Sequence, residues 1–223
     1  MLNAPLLSDL LAAVGLDLTP DQVSAFEGFA QTLYKANEVM NLTRGPRKDC
    51  AVRHFFDRLM FQDLIPFHAG VLDIGTGPGF PAWPLACARP DLSVTALDSS
   101  GKMIGFLRTQ PLPNLEPVLG RAEEFGRRET FEVVTGRALA PLPTQLEVSA
   151  APCAVGGLVI PMRTPGDDFS GVSLAPLGLE LVEVVDRPLA DTGVVRSFPV
   201  YLKVRPTDAR YPRRWPEIRS HPL

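Results

Sequence analysis

Residues 71–102 read VLDIGTGPGFPAWPLACARPDLSVTALDSSGK, an apolar run that enters a glycine-rich loop and a second apolar run that closes on an acid. Glycines at 75, 77 and 79 allow backbone dihedrals and close approach that a side chain would forbid. The loop departs from a dinucleotide fingerprint, because Phe80 stands where the third glycine is needed. Pro78 removes an amide donor, which weakens a diphosphate cradle, and no Walker-type lysine follows. A ligand with an amino-acid end and an adenosine end suits this loop better than a diphosphate. Asp98 closes the second run, where a carboxylate can accept hydrogen bonds from both hydroxyls of a ribose. Ser99 and Ser100 follow it, and Ala122-Glu123, after the next apolar run, are placed to bracket an adenine ring.

Outward from this stretch, short apolar runs recur at 71–74, 93–97, 116–119, 131–134 and 158–160, separated by segments that can form helices. Such alternation predicts a doubly wound α/β sheet, mostly parallel and covered on both faces. Runs at 179–185 and 194–204 flank a turn-like 188–193 and predict an antiparallel pair that closes the sheet. Upstream, Thr19-Pro20-Asp21-Gln22 is a capping box with proline at the first helical position. Val23, Phe26, Phe29, Leu33 and Met40 then form a helical apolar stripe. A second amphipathic helix is expected from 48 to 65, with Val52, Phe55, Phe56, Leu59 and Met60 on its apolar face. The expected organisation is a helical cap over 1–66 and a ligand-binding core over 67–223, built as one compact unit. Ligands in such sheets bind at the carboxyl ends of the strands, near the switch point.

The composition, 45% hydrophobic and 21% charged over 223 residues, is that of a folded globular chain. The longest uncharged runs, 74–88 and 148–162, fall short of the roughly 18–20 apolar residues that a membrane span needs. The N-terminus has no basic region and carries acids early, so a secretory leader is not expected and the cytoplasm is. Cys50, Cys87 and Cys153 are far apart, as are His54, His68 and His221, so neither a disulfide framework nor a metal site is expected. The net charge of −3 is unevenly spread. Residues 44–58 hold five basic residues against two acids, and residues 196–223 hold seven against two. These segments form one phosphate-binding surface if the fold brings them together, and two separate solvated faces if it does not.

The strand, glycine loop and second-strand acid together match the S-adenosylmethionine-binding pattern of Rossmann-like, class I methyltransferases. More narrowly, the chain resembles the bacterial small-subunit rRNA guanine-N7 methyltransferases, the RsmG (GidB) family. Besides residues 71–102, the resemblance rests on Asn41-Leu42-Thr43, Arg53-His54-Phe55-Phe56-Asp57, Gly120-Arg121-Ala122-Glu123-Glu124, Arg137-Ala138-Leu139-Ala140 and Arg210-Tyr211-Pro212-Arg213, in that order. It implies methylation of one guanine at N7 in the 530 loop of 16S rRNA, on the small ribosomal subunit or its precursor. By the same resemblance, Gly75, Gly77, Gly79, Phe80, Asp98, Ser99, Ser100, Ala122, Glu123 and Arg137 line the cofactor pocket. Asn41, His54, Lys102, Arg121, Arg137 and Arg163 are implied near the RNA or the methyl-transfer site. Thr109–Asn114 is shorter than the corresponding family segment, which predicts a truncated helix after the second strand.

Methylation at N7 uses a lone pair already available on the base, so no general base is required. Positive charge moves from sulfonium to base, so a cation beside N7 would oppose the product. Lys102, Arg121, Arg163 and the tail residues Arg210, Arg213 and Arg214 are therefore assigned to phosphates, and Asn41 or a backbone carbonyl is the better candidate for the base edge. Each residue also has a plainer reading. Asn41 can end a helix, His54 can be a buried packing partner, Phe80 can be core, and Asp57 can pair with an arginine. Cys87 and Cys153 are expected to be buried. The alternatives are a methyltransferase of a small molecule or protein and a non-enzymatic RNA-binding assembly factor. A nicotinamide oxidoreductase is disfavoured by Phe80.

Overall fold

The apolar runs pair side by side. The computed structural model describes residues 2–169 and 171–223, and seven strands form one sheet. They are β1 (Gly70–Ile74), β2 (Ser93–Asp98), β3 (Leu115–Leu119), β4 (Phe131–Arg137), β5 (Cys153–Met162), β6 (Leu179–Pro188) and β7 (Val195–Lys203). Their order is β3-β2-β1-β4-β5-β7-β6. The first five strands are parallel, with Val71 beside Val94 on one side and Val133 on the other. The C-terminal hairpin is antiparallel: β7 inserts next to β5 and leaves β6 as the edge. The chain winds outward from β1 to β3 and then returns to β4 on the other side of β1. That reversal creates the crevice at which such sheets bind ligands.

Alternate residues of each central strand face opposite sides, so the sheet carries two cores. One contains Val71, Val94 and Val133, and the other contains Leu72, Leu97 and Val134. The first core is continuous with the N-terminal helices α1 (Ala4–Ala12) and α2 (Pro20–Met40). The capping box of α2 is formed: the Gln22 amide donates to the Thr19 hydroxyl at 3.3 Å, and the Thr19 amide donates to Gln22 Oε1 at 2.8 Å. The expected stripe is buried at Phe26, Phe29 and Leu33, and Phe29 stacks on Trp83 at 4.1 Å between ring centroids.

The single helix expected over 48–65 is not what forms. A 3-10 turn at Arg47–Asp49, a wide π-helical segment at Ala51–Phe56, the short α3 (Asp57–Leu59) and a 3-10 turn at Gln62–Leu64 replace it. The widened turn buries His54, Phe55 and Phe56 together, and Asp57 is buried beside them. A regular helix would present one narrower stripe. Four helices complete the layers: α4 (Ala82–Ala88), α5 (Gly101–Leu107), α6 (Leu142–Ala150) and α7 (Trp215–Ser220). The helix after β2, α5, has 7 residues. All three cysteines are free and buried, Cys50 and Cys87 in the first core and Cys153 in the second. No helix among the described residues is long and apolar enough to cross a membrane.

Candidate active site

The carboxyl ends of β1 to β4 open into a cleft of about 390 Å³. Gly75, at its mouth, has φ +75°, and a Cβ there would lie 2.8 Å from Leu139 Cδ1, so a side chain would push the wall inward. Gly77 has φ +57° and faces open space. The amides of Gly75 and Thr76 both donate to the Leu97 carbonyl, at 2.8 and 3.1 Å, which ties the loop to β2. Asp98 completes that tie. One of its oxygens accepts from the Gly77 amide and the other from the Ser100 amide, each at 2.8 Å. A carboxylate offers about four acceptor positions, so two stay available to a ribose in the cleft that Asp98 lines. Ser99, Ala122 and Glu123 line the same cleft, and Leu139, Val148 and Trp215 give it an apolar surface. This donor set fits S-adenosylmethionine: backbone and carboxylate for polar groups, flat apolar surface for a purine, and no concentration of cations for a diphosphate.

Beneath the loop, Asp73 is fully buried, and its Oδ2 accepts from the Ala82 amide at 3.1 Å. Burial pushes this carboxyl up to about 7, against the neighbouring Thr76 hydroxyl and Ala82 amide, and the Asp98 charge adds to the rise.

A second chamber of about 830 Å³ shares only Gly75 and Ala138 with the first. Ala138 sits at this waist in the left-handed region, with φ 50°. Asn41, His54, Arg58, Phe80 and Arg137 line the second chamber. Asn41 ends α2 with φ 49°, so its plain reading is realised while it also faces the chamber. Lys102 Nζ donates to the Met40 carbonyl at 2.7 Å, which joins α5 to the end of α2 beside Asn41. His54 stacks on Phe80 at 5.3 Å, and its Nε2 lies 3.1 Å from the Thr43 hydroxyl. Burial holds this imidazole below its ordinary pKa; Arg137 acts in the same direction, and Asp57 opposes both.

Arg137 does not act alone. The buried Asp57 carboxylate takes Arg137 Nη1 at 2.5 Å, Arg58 Nη1 at 2.8 Å, and Arg196 through Nε at 2.8 Å and Nη2 at 3.0 Å. One carboxylate thus holds three guanidinium groups. The two basic segments of the sequence meet here, through Arg58 and Arg196. Arg137 and Arg196 also wall an adjoining notch of about 240 Å³ with Arg163, whose Nε bonds Asp167 at 2.6 Å. Burial lowers the Arg137 pKa from its ordinary value, and the Asp57 carboxylate counters that effect.

Several expected placements change. Phe80 does not line the cofactor cleft; it packs on His54 and, edge-on at 5.7 Å, on Phe29. Gly77, Gly79 and Ser100 are also absent from the cleft lining: Gly77 lines the second chamber, Ser100 gives its amide to Asp98, and a Cβ at Gly79 would meet Leu107 and Trp83. Arg137 faces the second chamber and the notch instead of the cleft. Arg121 lines the cleft, bonded to Glu123 at 2.5 Å with its guanidinium 5.5 Å from the Trp215 ring. Arg213 is engaged by the buried Glu147, which accepts its Nε at 2.9 Å and its Nη2 at 2.5 Å. Arg210 and Arg214 remain exposed.

A family model described as rRNA small subunit methyltransferase G matches residues 22–168, from the first turn of α2 through β5. The chain belongs to the rRNA small subunit methyltransferase G family. Its relatives of that name include the protein of Caldanaerobacter subterraneus subsp. tengcongensis, 34% identical over 95% of each chain. The Deinococcus radiodurans relative is 35% identical over 90% of this chain and 85% of its own. Among solved structures, the fold resembles M. jannaschii TYW2 in complex with AdoMet, with a TM-score of 0.55, 14% identity and coverage of 67% and 75%. It also resembles a TehB-like SAM-dependent methyltransferase from Corynebacterium glutamicum, with a TM-score of 0.55, 17% identity and coverage of 78% and 98%. The fold is that of the class I, Rossmann-like methyltransferases, and as a methyltransferase G this enzyme takes its methyl group from S-adenosylmethionine. Among the described residues, no group of three or more acids, histidines and cysteines is arranged to hold a metal ion.

Glu147, Arg196 and Trp215 are site-shaping residues that the sequence reading did not single out. Arg196 and Glu147 carried no local signal, since their partners lie far away in sequence. The signal for Trp215 was a large aromatic residue within an otherwise polar, basic tail.

Proposed function

We propose that this methyltransferase G methylates N7 of a guanine in the 530 loop of 16S rRNA, in the cytoplasm, on the small subunit or its precursor. The observation that carries this reading is the pair of chambers that touch only at Gly75 and Ala138. A methyl donor in the cleft and a nucleobase in the second chamber would meet at that waist. S-adenosylmethionine, when bound, supplies an electrophilic methyl on a sulfonium. The protein then needs only to hold the two reactants in line and exclude water, because N7 has its lone pair free and no proton is lost. Asn41 presents an amide to the base edge. His54, held neutral by burial, adds no positive charge where the product acquires one. Arg137, Arg163 and Arg196 lie around the adjoining notch, where phosphates flanking a looped-out guanine would run. Lys102 fixes the position of Asn41 through the Met40 carbonyl, and Arg210 and Arg214 remain available for more distant phosphates. Arg121, bound to Glu123 and Trp215, belongs to the cofactor side.

The test is transfer of labelled methyl from S-adenosylmethionine to unmodified 16S rRNA, supplied naked, in small subunits and in whole ribosomes. Cleavage chemistry specific for 7-methylguanosine then maps the product. A single N7 signal in the 530 loop supports the reading. Transfer to a different base or position, or no transfer by a protein that binds S-adenosylhomocysteine, overturns it.

A further inference from the structure

The C-terminal tail of this chain reaches the cofactor cleft. Trp215 opens α7 and lines the cleft, and it also walls a groove on the outer side with Arg121, Arg214 and Pro216. The segments on either side of it are firmly held. Glu147 is fully buried on α6 and accepts three hydrogen bonds from Arg213: the backbone amide at 2.9 Å, Nε at 2.9 Å and Nη2 at 2.5 Å. Arg128 donates to the carbonyls of Tyr211 at 2.6 Å and Thr207 at 3.0 Å. On the other side, Ile218 is fully buried in the second core. Trp215 itself, between these anchors, is half-buried. A large aromatic ring left partly open between two rigid anchors is a preorganised surface.

The surroundings of the ring indicate what it faces. The Arg121 guanidinium lies 5.5 Å from the indole centroid and is pinned by Glu123 at 2.5 Å. Residues 121–123 follow β3, on the side of the cleft where a purine would lie. Of the parts of S-adenosylmethionine, the purine alone is flat, aromatic and weakly hydrated, so it alone gains from an indole face. Base–aromatic stacking is tolerant of sequence context and strong enough to matter to affinity.

We infer that Trp215 is the stacking platform for the purine of the cofactor, backed by Arg121 and held in place by the Glu147–Arg213 clamp. The tail is therefore part of the cofactor site as well as a basic appendage. This inference rests on the reading of the cleft as the S-adenosylmethionine site.

The test uses the full chain and S-adenosylhomocysteine. The protein has two tryptophans, and Trp83 is buried in the aromatic stack with Phe29, so a ligand-induced change in emission reports Trp215. We expect wild type to change its tryptophan emission on binding and Trp215→Phe to lose that change while binding within about threefold of wild type. We expect Trp215→Ala to bind about tenfold more weakly by calorimetry, with an equal loss for 5′-methylthioadenosine, which keeps the purine and lacks the amino acid. Thermal melting of the unliganded variants separates these effects from loss of fold. Wild-type affinity in Trp215→Ala with no emission change in wild type overturns the inference. So does a Trp215→Ala variant that keeps its nucleoside affinity and loses only affinity for an rRNA fragment, which would make the ring an RNA platform. If wild type binds neither nucleoside, the reading of the cleft fails instead.

Discussion

Asp57 is the residue on which the second chamber depends. Its carboxylate is 1% exposed and is shared by Arg58, Arg137 and Arg196, so it leaves a local excess of positive charge that faces the chamber and the notch. Replacing it strands three partly buried cations, and breaking a buried pair in this way costs about 3 kcal/mol or more. Asp57→Ala is expected to lower the denaturant midpoint accordingly, and a variant with wild-type stability would deny Asp57 this role. The sequence offered Asp57 only as a possible partner for one arginine, because a partner in β7 has no local signature. Asp73 is a second buried carboxyl with a different consequence. Its folded value of about 7 lies above the ordinary value of 3.8, so the native state holds a proton that the unfolded chain releases. Its contribution to stability is full below about pH 4 and is lost as pH rises towards 7, by about 1 kcal/mol per pH unit. Asp73→Asn should flatten that part of the profile, as read from denaturant midpoints between pH 4 and 8.

Elements whose cause is local were legible in the sequence, and elements shaped by tertiary contact were not. The α2 helix begins where its capping box predicts, since Thr19 and Gln22 satisfy each other's amides without help from elsewhere. Thr19→Ala should cost about 1 kcal/mol, measured by chemical unfolding, and leave cofactor affinity unchanged. The glycine loop and Asp98 were equally readable, because backbone geometry and one carboxylate define that half of the site. The 48–65 stretch has helical periodicity but forms several short turns, because His54 must reach Phe80 while Asp57 reaches β7. The tail reads as basic, yet Arg213 serves Glu147 and Trp215 faces the cleft. Glu147 lies in a helix whose sequence gives no sign that it will bury an ion pair.

At the scale of the molecule, a single sheet divides two cores, and the three free thiols are split two and one between them. Cys50 and Cys87 lie on the side of the N-terminal helices and Cys153 lies on the side of α6. Burial pushes each thiol up to about 12, so none offers a thiolate at neutral pH while the chain is folded. The three sulfurs are therefore silent reporters that become reactive only when their own side of the sheet opens. Mass-resolved labelling with a thiol reagent under mild denaturant turns them into clocks placed on opposite sides of one wall. A common rate is expected, because strands shared by both cores couple their opening. Earlier labelling of Cys50 and Cys87 would instead mean that the N-terminal helices can lift away while the far side stays shut, opening the wall of the nucleobase chamber without unfolding the floor of the cofactor cleft.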